Sequence, residues 1–149
     1  MRNLRLCFLL FCAMMLGWLA AEAHDHPGRN LRMLGITGTN GKTTVAHMIA
    51  AVTAGSAREM AVIGTVSSAI PGAAASPRTT PEASNLQRML RRLVDAGRVT
   101  DVAIEVSSHA MDMGRVNGVL FDVVAFTNLS QDHLDYHHTM EAYYQAKAS

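Results

Sequence analysis

The chain has 149 residues, a formal net charge of +1, 49% hydrophobic residues and 17% charged residues. That length suffices for one α/β domain with its own core, and the near-neutral balance excludes bulk electrostatic attraction to nucleic acid or acidic lipid. Of the 13 basic residues only two are lysines, Lys42 and Lys147, so each lysine invites a specific explanation.

In chain order, Arg2 and Arg5 precede an apolar run from Leu6 to Ala20, and Ala21-Glu22-Ala23 follows as an A-x-A site. Residues 1–23 therefore have the pattern of a secretory signal peptide. The run is short of the roughly 20 apolar residues a spanning helix needs, so no stable membrane span is expected. Both cysteines, Cys7 and Cys12, lie inside it, which leaves the remainder without a disulfide. A polar link follows, and then Leu31 to Thr37 reads as a strand. Residues 35–44, Gly-Ile-Thr-Gly-Thr-Asn-Gly-Lys-Thr-Thr, form a glycine-rich turn into a helix from Lys42 to Ala54. Val45, Met48, Ile49 and Val52 supply that helix with an apolar stripe, and Gly55 stops it. Ala61 to Val66 is a second strand, and 67–80 a loop of small residues holding Pro71, Gly72 and Pro77. A helix from about Pro81 to Ala96 follows. Thr79 and Glu82 are spaced as a capping box, Leu86, Met89, Leu90, Leu93 and Val94 form its stripe, and Gly97 ends it. Asp101 to Val106 and Phe121 to Thr127 are two valine-rich strands of the buried type, and a last helix begins near Thr139. Strands alternating with helices predict an α/β fold: a mainly parallel sheet with helices on both faces, and ligands gathered at the carboxyl ends of the strands.

Three clusters follow strand ends. In the first, small residues let backbone N–H groups approach phosphate oxygens, Lys42 brings a point charge, and a threonine hydroxyl can reach Mg²⁺. The spelling is not a strict G-x-x-x-x-G-K-[ST], because the earlier glycines are Gly35 and Gly38, and an ordinary strand-to-helix turn is the alternative. The second cluster is Glu105-Val106-Ser107-Ser108-His109. Glu105 ends an apolar strand, a costly position for a carboxylate unless it is paired or holds a metal; an exposed strand terminus is the alternative. The third is Asn128-Leu129-Ser130-Gln131-Asp132-His133-Leu134-Asp135-Tyr136-His137-His138, whose acids and imidazoles suit a divalent cation or, alternatively, a polar helix cap.

In this order and at this spacing, Thr37 to Thr44, Glu105 to His109 and Asn128 to His137 resemble the central ATPase domain of the Mur ligases. The likeness is greatest to the type that adds the third amino acid to UDP-N-acetylmuramoyl-L-alanyl-D-glutamate, and it runs from about residue 21 to the end. The resemblance implies a loop (Gly38, Thr39, Asn40, Gly41, Lys42, Thr43, Thr44) that binds ATP, with Lys42 on the β- and γ-phosphates and Thr43 helping to hold Mg²⁺. Glu105 would be a Mg²⁺ ligand and His133 would ligate a second Mg²⁺. Lys147 matches the family's carbamylated lysine beside the metal site. Thr79, Thr80, Ser107 and Arg115 match contacts to the UDP-MurNAc-dipeptide. Arg78 stands where Asn is expected, and Met113 where some members have Gln. The implied reaction forms an acyl phosphate on the D-glutamyl carboxylate, which the amine of meso-diaminopimelate or lysine attacks. Family members carry a UDP-binding domain before this segment and a closing domain after it. Residues 31–149 would then be the central domain, incomplete at its C-terminal end, and residues 1–23 an incidental start. A cytoplasmic monomer is expected on this reading. The signal-like segment points instead to an exported protein, where ATP is lacking, and an inactive nucleotide-binding remnant is a third reading.

Overall fold

A computed structural model describes residues 15–55, 58–66 and 78–149. Residues 15–23 are helical (α1) and lead through a 3₁₀ turn at Pro27–Asn30 into β1, Arg32–Thr37. The chain continues as α2 (Lys42–Thr53), β2 (Met60–Ile63), α3 (Ala83–Ala96), β3 (Asp101–Glu105), α4 (Ser108–Asp112), β4 (Val123–Phe126), α5 (Leu134–His137) and α6 (Met140–Ala148). The four strands make one sheet in the order β2-β3-β1-β4, every pairing parallel. The expected α/β architecture is present.

Alternation along each strand divides the core into two layers. Met33, Ala61, Ile63, Val102 and Ile104 pack under α3 through Leu86, Met89, Leu90 and Leu93. Ile36, Met60, Val62 and Ala103 face the opposite way and meet Ala46 of α2. Because α3 is strongly amphipathic, its sequence stripe gave the correct face, and the backbone N–H of Gly97 closes it on Leu93 and Val94. The α2 stripe was only half right. Met48 and Val52 are 62% and 84% exposed, and the helix instead packs through Val45, Ala46, Ile49 and Ala50. A helix apolar around most of its circumference gives periodicity little to choose between.

Three boundaries also shift. The capping box is absent: α3 starts at Ala83 with Glu82 as its N-cap and no side-chain cap bond. Thr79 instead meets the Thr65 hydroxyl at 3.1 Å, and Glu82 pairs with Arg78 and Arg115 at 3.0 and 3.1 Å. Strand β2 stops at Ile63, and β4 begins only at Val123, because Phe121 tucks beneath Gly35 and the Asp122 carboxylate accepts the Met33 N–H at 2.7 Å. Strand β4 is not buried as expected. Among the described residues it pairs only with β1, and Val123, Val124 and Phe126 are exposed.

The signal-like segment divides. Residues 1–14 lie outside those described, while Ala21, the first residue of the A-x-A site, is fully buried in α1 against Gly118. Among the described residues no helix is long and apolar enough to cross a membrane. The predicted loop 67–80 is described only from Arg78 onward.

Candidate active site

All three clusters meet at the carboxyl ends of β1, β3 and β4, where the parallel register sets Glu105 opposite Ile36 and Phe126 opposite Thr37. The turn after β1 is held by the loop after β4. Asn128 reads the backbone of Asn40 in both directions, its Oδ1 accepting from Asn40 N and its Nδ2 donating to Asn40 O, both at 3.1 Å. The Thr127 hydroxyl also donates to Asn40 O at 2.7 Å, and Thr39 N donates to Asn128 O at 2.9 Å. Gly38 has φ +136°, and a Cβ there would overlap Thr127 Oγ1, so this turn admits only glycine. Thr39 is buried by these contacts, while Asn40, Gly41 and Thr44 are exposed at the mouth of the loop.

Both lysines converge on this turn. Lys42 Nζ donates to Gly38 O and Thr39 O, each at 2.8 Å, and Lys147 Nζ donates to Gly38 O at 2.9 Å. Lys147 is 4% exposed, so it is not a surface cation. Burial, and next the charge of Lys42, lower its pKa to about 8, with Asp132 opposing. Burial also lowers Lys42, against the raising effect of Glu105 and Asp132. Two ammonium groups around one carbonyl oxygen make a pocket of concentrated positive charge, suited to a polyanion.

Glu105 is 1% exposed, which rules out the exposed strand end. Its carboxylate accepts from the Thr43 hydroxyl at 2.8 Å and from Thr65 N at 3.1 Å. Gly64 makes this approach possible, since a Cβ at that position would overlap Glu105 Oε1. The Glu105 and Thr43 oxygens are hard donors, and they fit a Mg²⁺ whose remaining ligands are phosphate oxygens and water. Among the described residues there is no group of three or more His, Cys, Asp or Glu placed to hold a metal ion.

His133 has φ +51° and caps α5. Its ring meets His109 and Tyr143 edge-on, at 4.8 and 6.2 Å between centroids, with Asp132 3.6 Å away. His137 is buried against the Ser108 hydroxyl at 2.9 Å. Burial first, and next the neighbouring imidazoles, hold His109 below the ordinary histidine pKa; for His137 burial again leads, with Asp112 opposing. The acid-and-imidazole run thus builds an aromatic cluster beside the turn after β1.

The four candidate substrate residues also come together. The Thr80 hydroxyl donates to Glu105 O at 2.8 Å and accepts from Ser107 N at 3.0 Å. Ser107 caps α4 by accepting from Ala110 N, and Arg115 reaches Thr80 O at 3.4 Å and Glu82 at 3.1 Å. Sequence reasoning missed Thr65 and Tyr143. Tyr143 stands one helical turn before Lys147, a spacing that could have marked it.

A family model described as Mur ligase middle domain matches residues 36–149. The UDP-N-acetylmuramoyl-L-alanyl-D-glutamate--2,6-diaminopimelate ligase of Synechococcus elongatus is 50% identical over 133 residues, covering 89% of this chain and 27% of the relative. The protein of the same name from Geobacter metallireducens is 48% identical over 134 residues, 87% of this chain and 25% of the relative. A solved structure of a UDP-N-acetylmuramoyl-L-alanyl-D-glutamate--2,6-diaminopimelate ligase superposes with a TM-score of 0.68 at 40% identity, covering 79% of this chain and 24% of that one. The chain therefore spans about a quarter of the length of these relatives.

Proposed function

Because the chain belongs to the Mur ligase family through its middle domain, we propose that it supplies the ATP-binding part of a ligase that adds the third amino acid to UDP-N-acetylmuramoyl-L-alanyl-D-glutamate. The observation that carries this reading is the convergence of Lys42, Lys147, Thr43 and buried Glu105 on the loop after β1. Diaminopimelate is the proposed amino acid, since that is what the relatives' names specify. The cytoplasm is the proposed compartment, because the reaction consumes ATP.

In this reading, the turn from Gly38 to Thr44 and Lys42 bind the phosphates of ATP. A Mg²⁺ held through Thr43 and Glu105 would neutralise phosphate charge, and His133 is the proposed ligand of a second. Thr79, Thr80, Ser107 and Arg115 orient the UDP-MurNAc-dipeptide. The D-glutamyl carboxylate attacks the γ-phosphorus, the bond to ADP breaks, and an acyl phosphate forms. The amine then attacks the acyl carbon, loses a proton, and phosphate leaves as the amide forms. The protein contributes positioning and charge neutralisation. Lys147 is proposed to react with CO₂ as its neutral amine, giving a carbamate and a proton; burial and the Lys42 charge favour that neutral form.

A chimera tests this: residues 36–149 replace the matching segment of the Synechococcus elongatus ligase. Tripeptide formation with diaminopimelate is expected, with none after Lys147→Ala until a small carboxylic acid restores part of it. A folded chimera that binds ATP but makes no tripeptide would favour the alternative of a nucleotide-binding remnant.

A further inference from the structure

Tyr143 is 1% exposed, and nothing in the chemistry above uses it. Its phenolic hydroxyl donates to Thr39 Oγ1 at 3.2 Å. That hydroxyl of Thr39 also donates to Ser130 O at 3.1 Å and accepts from Ser130 N at 2.9 Å, so Tyr143 completes its hydrogen-bonding capacity. The face of the same ring lies 4.7 Å from Lys147 Nζ, within cation–π range. One side chain therefore touches both parts of the pocket: the turn, at Thr39, and the amine of Lys147.

We propose that Tyr143 is a positioning residue for phosphate binding, its hydroxyl pinning the turn at Thr39 and its ring seating Lys147 against Gly38. This rests on reading the turn as a nucleotide site. The two functions separate by substitution. Tyr143→Phe removes the hydroxyl and keeps the ring, whereas Tyr143→Leu removes both. A buried tyrosine that merely filled space would be replaced by Phe at little cost to either function.

The chain offers a clean probe, since Lys42 and Lys147 are its only lysines. Protein labelled with ¹³C at lysine Cε gives two side-chain resonances, assigned with Lys147→Arg. In the wild type the Lys147 resonance is expected to carry a ring-current shift that Phe preserves and Leu abolishes. Calorimetric titration with ATP and Mg²⁺ should show binding weakened about 3- to 10-fold in Tyr143→Phe, the range of one hydrogen bond, and more in Tyr143→Leu. Wild-type affinity in Tyr143→Phe, with its Lys147 resonance unmoved, would overturn the pinning role. An unchanged Lys147 resonance in Tyr143→Leu would overturn the seating role. If Leu does not fold, Phe alone decides the pinning role, and Tyr143→Trp, whose larger ring current must move the Lys147 signal, decides the seating role. A wild-type chain that binds no ATP would instead remove the nucleotide reading itself, and this inference with it.

Discussion

Lys147 shows how one residue's surroundings set its chemistry. An amine on a terminal helix is ordinarily a solvated cation, but here α6 carries it under the loop after β4 and onto Gly38 O. Its pKa falls to about 8, against an unfolded value near 10.5, so between those values the folded chain holds fewer protons than the unfolded one. Stability must then rise with pH across that window. Denaturant titrations between pH 7.5 and 10.5 should show a rise in unfolding free energy, on the order of 1–3 kcal/mol of it due to Lys147. Lys147→Met should remove that share. An equal rise in wild type and Lys147→Met would mean that the amine titrates normally. The sequence singled out this lysine through composition and family spacing, but only the fold reveals its burial. Tyr143 lacked any such signal beyond its place one turn earlier, because a tyrosine on a short helix reads as ordinary packing.

At the scale of elements, the turn after β1 is held from outside. Local glycine content identified it in the sequence, yet its shape depends on Thr127, Asn128 and Ser130, about 90 residues later. Contacts that distant leave no periodicity to read. Gly38 is where the two loops touch. Gly38→Ala forces a Cβ into Thr127 Oγ1 and strains a backbone at φ +136°. It is expected to cost about 1–3 kcal/mol of stability and to weaken ATP binding at least 10-fold. A variant with wild-type melting temperature and affinity would show that the loops separate freely. The same dependence on distant partners explains the other misreadings. Thr79 and Glu82 have capping-box spacing, but Thr65 and the Arg78–Arg115 pair bind them more favourably. Strand β4 reads as buried because its valines suit a parallel sheet, whereas its exposure is decided by what lies next to it.

For the whole molecule, strand order does the organising. Placing β1 between β3 and β4 brings the ends of three strands, and with them Lys42, Glu105 and the Asn128 loop, to one edge. Alternation of strands and helices made this class of fold legible, and the three ordered motifs made the family legible. The first residues were less so. Residues 15–23, the end of the segment that fits a signal peptide, form α1, whose Ala21 is packed against Gly118. The account depends most on the turn after β1 being a nucleotide site, and calorimetry of the 149-residue chain with ATP and Mg²⁺ tests that directly. One molecule of ATP should bind per chain, with affinity reduced at least 30-fold by Lys42→Ala and unchanged by Arg92→Ala on the solvent face of α3. Equal affinity in wild type and Lys42→Ala would contradict it.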